Sequence, residues 1–596
     1  MRILDSRRLI GPNMQMLRPG VVAEVLFEPG EDPAAAVEAW RAQVGSLSAL
    51  LALAVDELRA RPFAGGAVLS FAAPTDVLLA ASDLNDLAIA RATDAAAGQQ
   101  RISASEPIDA LRAAFAAQFN PRLLALEAEA KKRGVPFLAD DDTLSLGMGA
   151  RSLSLPLGAP HGVDENGEGA AGRAQAGSAL PSPDEVRWSE LGRVPTALIT
   201  GTNGKTTSAR LLAHLLAQSG ARVGLAATDF VSVGGEILER GDFTGPAAAR
   251  LVLRDPRVEV AVLETARGGI LRRGLAIDSA DCALITNVAD DHLGEYGIDS
   301  VRALARAKAV VARAVRPDGR IALNADNDEL VSLWREAPEL FGAPIVWFSL
   351  APQGPARALL EAHLAAGGEA MLLEEGQLVR RAGAAREPLL AARELPISFG
   401  GAAAYNLANA LGASALAFAL GLSRETIARG LASFRPDGKD NPGRSNLLEG
   451  PGGVRVLVDF GHNAHGVHQL GALVAALRAA RPGPLTTLGA CAGDRSDENL
   501  RALAVEIAAM QPRRVLLRDL LDYLRGRAPG EVPQKMAALL EGLGLAREAL
   551  SFHESEAAAL RAALDSAQPG ELILILVHLE SEAVGALLES RGFRSA

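Results

Sequence analysis

The stretch ALITGTNGKTTSARLL, Ala197 to Leu212, decides the fold. An apolar run ends in a glycine-rich turn, then passes into a lysine, two threonines and an amphipathic segment. A strand, a turn and a helix in that order make an anion cradle. Gly201 and Gly204 let backbone N–H groups turn inward, and the helix N-terminus adds its partial positive charge. The cradle residues are Gly201, Thr202, Asn203, Gly204, Lys205, Thr206 and Thr207. Lys205 is placed to reach β/γ-phosphates of ATP, and Thr206 to put a hydroxyl on Mg²⁺. The general phosphate-loop pattern has a glycine five positions before Gly204, where this chain has Ile199. The competing reading is an ordinary Gly-rich strand–helix turn. The preceding strand and the apolar stripe Leu211, Leu212, Leu215 and Leu216 favour the phosphate loop.

The rest of the chain sets bounds on that reading. Its 596 residues exceed what one core supports, so two to four domains are expected. An apolar content of 49% with 22% charged residues is ordinary for a globular protein. The net charge of −11 argues against nucleic acid or an anionic membrane as partner, since those need basic patches. Cys282 and Cys491 are too few for a disulfide framework or a zinc site. The start MRILDSRRLIGPN has no apolar core of a signal peptide, and runs such as LSALLALAV are too short to span a bilayer. A cytoplasmic protein is expected.

The texture of the chain divides it into an α/β module, a linker and two further α/β domains. Residues 1–155 alternate strand-like runs (VVAEVLF, GAVLSFA) with Ala/Leu-rich helical stretches. Residues 156–190, rich in Gly, Ala, Ser and Pro, read as a flexible linker. Residues 191–440 then alternate short apolar strands (TALIT, VEVAVLETA, CALITNV) with helices, which implies a parallel sheet covered on both faces. Within them EAMLLEEGQLVRR reads as a hairpin. Residues 441–596 repeat the alternation with VRVLVDF, LTTLGA, RRVLLRD and ELILILV, a Rossmann-like pattern.

TGTNGKTT resembles the shortened phosphate loop of the Mur ligase family, ATP-dependent amide-bond ligases. The segments ETARGGILRRGL, TNVADDHLG, YNLANALGA, NPGRSN, VDFGHNAHG, GDRSDE and LRGRAPGE are similar, in order, to the Mur-ligase-like part of cyanophycin synthetases. The N-terminal MRILDSRRLIGPN resembles the start of the same family. AKKRGVPFLADDDTLSLGMGARSL resembles the opening of that family's ATP-grasp domain, but the linker follows at once and leaves no room for the rest. The resemblance implies a multidomain α/β fold: a central P-loop sheet of Mur ligase type, a C-terminal Rossmann-like domain and an N-terminal α/β module. It implies ATP and Mg²⁺ as cofactors and a homo-oligomer.

The same resemblance assigns residues. Glu264, at the end of a strand, corresponds to a Mg²⁺-holding glutamate; a helix N-terminal charge is the alternative. His292 in DDHLG corresponds to a ligand of a second metal ion, with Asn287 on the same strand end. Lys308 corresponds to a lysine that many Mur ligases carbamylate, and an unmodified surface lysine is the alternative. Asn406 corresponds to an adenine-recognising residue or serves as a helix N-cap. Asn324 and Asp326 lie near the nucleotide or form a turn. Asp459 and His462 fall where the family has Asp-Tyr-Ala-His, the aspartate near the ribose, with Phe460 and Gly461 between them here. Arg444 is expected to meet phosphate on closure of the C-terminal domain. Asp494, Arg495, Asp497, Asp519 and Arg525 are candidates to hold the incoming amino acid, or begin a solvated helix. Arg267, Arg272 and Arg273 are candidates to meet an acidic acceptor, or form a solvated face.

The expected function is a ligase that joins an amino acid, arginine first, to a carboxylate of aspartate or of an acidic peptide. The partners are thus small-molecule amino acid and acidic acceptor, with no nucleic acid and no membrane. A different amine or acceptor is the nearest variant. A non-catalytic cyanophycin-binding or synthetase-partner protein is a second class, against which Lys205, Thr206, Glu264 and His292 are all retained. A generic P-loop ATPase or kinase lacks support, because no apolar strand ends in a DE pair.

Overall fold

The computed structural model describes residues 1–96, 106–157, 180–291, 293–350, 354–489, 492–493 and 495–596. His292, Cys491, Asp494 and residues 158–179 of the expected linker lie outside them. The chain forms two units, one made of residues 1–288, 293–347 and 415–422, the other of 289–292, 348–414 and 423–596.

The first unit begins with a four-stranded antiparallel sheet, in the order Arg2–Leu9, Gly20–Leu26, Gly66–Ala72, Asp56–Phe63. Helices Pro33–Leu50 and Leu78–Ala96 supply the other half of its core, with Trp40, Phe71, Leu69 and Leu84 fully buried. Asp32 caps the first helix by accepting from Ala34 N at 2.9 Å. A smaller layer follows, the helix Pro121–Arg133 on an antiparallel meander of Phe137–Ala139, Thr143–Leu146 and Leu153–Pro156. Leu180, Val186, Trp188 and Leu191 are buried in that core. Three of these, Leu180, Val186 and Trp188, fall within the stretch read as a linker, and their burial ties its last residues to this core.

The central sheet of this unit runs Glu236–Arg240, Phe230–Val233, Val223–Ala226, Val260–Glu264, Thr196–Thr200, Ala280–Ile285, Val315–Asn324 and Ile345–Ser349. Its middle strands are parallel. Every residue of Thr196–Thr200 and Val260–Glu264 is buried, as a parallel sheet covered on both faces requires. The helix Lys205–Ala217 seals one face with the stripe Leu211, Leu212, Leu215 and Leu216. Parallel strands bring their C-terminal ends to one edge, so Thr200, Glu264 and Ile285 deliver the loops that follow them to a common place.

The second unit contains an antiparallel meander, Glu369–Glu374, Gln377–Ala382 and Ala385–Ala391, whose first two strands are the hairpin read from sequence. Its main sheet runs Leu550–His553, Arg514–Arg518, Leu485–Gly489, Leu572–Leu576, Arg455–Asp459, Asn446–Glu449 and Arg594–Ser595. The five strands of its parallel part alternate with helices, and apolar cores form on both faces. This is the Rossmann-like pattern expected of the C-terminal sequence. Among the described residues no helix is long and apolar enough to cross a membrane.

Candidate active site

At Gly201 the chain leaves its strand with φ +152°, and a Cβ there would stand 1.8 Å from Thr286 Oγ1. Only glycine fits so close an approach. The loop is bound to the end of the neighbouring strand. Thr202 N donates to the Asn287 carbonyl at 2.9 Å and Asn203 N to Asn287 Oδ1 at 3.0 Å. Asn287 Nδ2 and Thr286 Oγ1 donate back to the Asn203 carbonyl at 3.0 and 2.6 Å. Asn287 thus fixes the shape of the loop. Gly204, with φ +85°, is the N-cap of the helix that carries Lys205, Thr206 and Thr207.

Two lysines converge on this turn. Lys205 Nζ donates to the Thr202 carbonyl at 3.0 Å, and Lys308 Nζ donates to the Gly201 carbonyl at 2.7 Å. Lys308 is 4% exposed, so the surface-lysine alternative does not hold. Both an ammonium and a carbamate nitrogen carry the N–H that this bond needs. Cations beside a backbone cradle favour a polyphosphate.

Glu264, 2% exposed, is the last residue of the strand Val260–Glu264. Its Oε1 accepts from the hydroxyls of Thr206 at 3.1 Å and Thr228 at 2.9 Å, and its Oε2 from Thr228 N at 2.9 Å. The helix-terminus alternative for Glu264 fails, because the residue lies within the strand. A Mg²⁺ ion suits Thr206 and Glu264: both are hard oxygen donors, and Mg²⁺ usually takes few protein ligands besides phosphate and water. Among the described residues no cluster of three or more His, Cys, Asp or Glu could hold a metal. Thr228 escaped the sequence reading; its only signal was its place directly after an apolar strand, in TDF.

Of the three arginines considered for an acceptor, Arg267 opens the helix Arg267–Arg273 and is 8% exposed. It pairs with Glu295, and its guanidinium stands 5.9 Å from the ring of Tyr296. Arg272 bonds the Tyr296 hydroxyl. Arg272 and Arg273 are exposed. Asn324 forms a turn: Nδ2 donates to the Thr286 carbonyl at 3.0 Å, and Oδ1 accepts from Asp326 N at 2.9 Å.

In the second unit, Asp459 ends its strand and spends both carboxylate oxygens on backbone. Oδ2 accepts from Ser445 N at 2.7 Å and Oδ1 from Gly461 N at 2.9 Å. His462 approaches Asp291 to 3.5 Å, and the Arg444 guanidinium stacks 4.3 Å over the Phe460 ring. Asn406 lies inside the helix Ala404–Ala419 and is not its N-cap. Its Nδ2 donates to the Ile397 carbonyl at 2.9 Å and its Oδ1 accepts from Asn409 at 3.2 Å.

The amine candidates divide by burial. Arg495, 7% exposed, donates to Asp291 Oδ1 at 2.8 Å. Asp291 was missed in the sequence, although it directly precedes His292. Asp497 is the first residue of a helix, with its side chain 69% exposed and paired to Arg527 and Lys535. Those contacts fit the solvated helix start that sequence reading kept open. Asp519 binds Gly530 N, and Arg525 stacks 5.3 Å from the Tyr523 ring.

Known proteins match two parts of this chain. A family model for the Mur ligase middle domain matches residues 199–417, and one for the Mur ligase glutamate ligase domain matches 443–576. Cyanophycin synthetase of Synechocystis sp. is 38% identical over 394 residues, covering 66% of this chain and 43% of that protein. The chain thus spans less than half the length of this relative. UDP-N-acetylmuramoyl-L-alanyl-D-glutamate–2,6-diaminopimelate ligase of Synechococcus elongatus is 29% identical, covering 63% of this chain and 70% of its own. Among solved structures, E. coli FolC in complex with DHPP and ADP is 21% identical with a TM-score of 0.47, covering 67% of this chain and 89% of its own. With both domain models matched in order, the central and C-terminal parts of the chain are Mur ligase middle and glutamate ligase domains.

Proposed function

We propose that this protein is an ATP- and Mg²⁺-dependent ligase that joins an amino acid, arginine first, to a carboxylate of aspartate or an Asp-containing peptide. The observation that carries this reading is the group at the strand ends, where Lys205, Thr206, Thr228 and Glu264 adjoin a glycine cradle. The identity with cyanophycin synthetase supports the choice of substrates.

In this reading the acceptor carboxylate attacks the γ-phosphorus of ATP, and ADP leaves. The acyl phosphate then meets the amine nitrogen; the C–N bond forms, phosphate departs, and the amine gives up a proton. Lys205 and the backbone N–H groups of the loop hold the phosphates, while Arg267 orients the acceptor. Thr206 and Glu264 would hold Mg²⁺, which offsets charge repulsion between the acceptor and the γ-phosphate. His292 is assigned to a second metal ion. Lys308 and Asn287 keep the loop in shape. Arg444 and His462 are assigned to the nucleotide on the C-terminal side, and Arg495, with Asp519 and Arg525, to the incoming amino acid.

The test is phosphate release by purified protein across a panel of amines and acidic acceptors, with Lys205→Ala as the blank and mass spectrometry of products. Release that needs one amine together with one acceptor, with the coupled mass, is expected. Release with ATP alone, or no ATP binding at all, would refute the ligase.

A further inference from the structure

The N-terminal module grips two segments of the central domain, the turn 295–299 and the helix Arg267–Arg273 with the residues that follow it. The Arg61 guanidinium spans two successive carbonyls, with Nη1 donating to Gly297 O at 2.6 Å and Nη2 to Tyr296 O at 3.0 Å. Ala64 N adds a bond to Asp299 Oδ2 at 3.3 Å. On the other segment, Ile10 N donates to Arg273 O at 2.7 Å and Leu275 N to Pro12 O at 2.8 Å. Arg7 touches both: its Nε donates to Leu271 O at 3.1 Å, and its guanidinium lies 4.7 Å from the Tyr296 ring.

The gripped turn is not one the chain adopts by itself. Tyr296 has φ +56°, a left-handed conformation that a bulky side chain keeps only where its surroundings impose it. Gly297 follows with φ +61°, and a Cβ there would stand 2.8 Å from Phe63 and 3.2 Å from Arg61. The turn is flanked by Glu295, whose carboxylate pairs with Arg267. Arg267 is the first residue of the helix whose other end is bonded to residues 7–12. The N-terminal module therefore fixes both halves of the Glu295–Arg267 pair.

We propose that Arg61 and Arg7 are positioning residues: the N-terminal sheet holds the 295–299 turn and the helix Arg267–Arg273 in the register in which Arg267 meets the acceptor. The part concerning the acceptor rests on the ligase reading above; the grip itself does not.

The experiment uses the full chain and two readouts. In hydrogen exchange read by mass spectrometry, Arg61→Ala and Gly297→Ala should each speed exchange of residues 267–275 and 294–299, by about tenfold or more, and leave the phosphate-loop helix 205–217 as in the parent. Gly297→Ala retains the arginine and instead crowds the turn with one methyl group, so agreement between the two variants guards against a simple folding defect. Arg18→Ala, whose side chain is 52% exposed, should change neither segment. In steady-state phosphate release, the same two variants should raise the acceptor KM by about tenfold and leave the ATP KM unchanged. Parent-like exchange in both segments would overturn the grip, as would exchange that also rises across 205–217. An unchanged acceptor KM in an active, loosened variant would overturn the positioning role. A parent that releases no phosphate with any acceptor counts against the ligase alone, since the exchange readout still decides the grip.

Discussion

The Thr206 hydroxyl donates to Glu264 Oε1 at 3.1 Å, joining the first turn of the phosphate-loop helix to the end of the neighbouring strand. Glu264→Gln keeps the shape of the side chain and removes its charge. Acceptor-dependent phosphate release should fall by about a hundredfold or more, because charge stabilisation at a phosphoryl group is worth several kcal/mol. Nucleotide binding measured without divalent cation should persist. A variant within a few-fold of the parent in Mg²⁺ titrations would remove Glu264 from the metal site.

Lys308 and Gly201 are separated by 107 positions and joined by one bond of 2.7 Å. Lys308→Met keeps most of the apolar stem and leaves the carbonyl of a tight loop without this donor. A hydrogen bond from a charged group contributes about 1.5–3 kcal/mol, so a fall in stability of that order is expected, with weaker ATP binding. Thermal melts with and without ATP check both. Unchanged ATP affinity would separate Lys308 from the loop's function.

Much of this site was legible in the sequence because it is local. The strand, the turn and the helix of the phosphate loop are contiguous, so spacing alone places Gly201, Lys205 and Thr206. Glu264 was singled out by the family resemblance together with its place at the end of an apolar strand, where parallel sheets carry functional side chains. What joins these pieces was not legible. The Asn287 bridge, the Lys308 bond and the grip of Arg61 on Gly297 each link residues far apart in the chain. No periodicity records such contacts. Asn406 does lie in the first turn of its helix, but the sequence could not show that its amide bonds Ile397, nine positions back, instead of capping the helix start.

Arg495 and Asp497 are two residues apart and differ in what surrounds them. Arg495 is buried with Asp291, whereas Asp497 shares its carboxylate with Arg527 and Lys535 in solvent. Breaking a buried ion pair costs about 3–5 kcal/mol, so Arg495→Ala should lower thermal stability clearly and raise the amine KM. Surface pairs contribute little, so Asp497→Asn should hold the amine KM within about twofold. The reverse pattern would make the exposed carboxylate the amine ligand and Arg495 a spectator.

His578 follows the strand Leu572–Leu576 and packs its ring 5.3 Å from Phe460. Burial is the main force that depresses its pKa to about 3, and the nearby Arg518, His462 and Arg444 act in the same direction, while the Gly461 backbone opposes them. A Glu556 oxygen lies 3.9 Å from Nδ1, yet it already accepts from Arg518 and from the N–H groups of His578 and Leu579. The folded chain therefore holds this ring neutral, whereas the unfolded chain protonates it near the ordinary 6.5. Fewer protons bound in the folded state means that the contribution is complete above the unfolded pKa and is lost as pH falls from there toward 3. Within that window the slope should approach about 1.4 kcal/mol per pH unit from this one group. His578→Gln should flatten the slope in urea melts between about pH 7 and about pH 5, since glutamine has no proton to gain. Equal slopes in parent and variant would mean that the ring takes up its proton in the folded state, and that the packing around Phe460 opens to admit it.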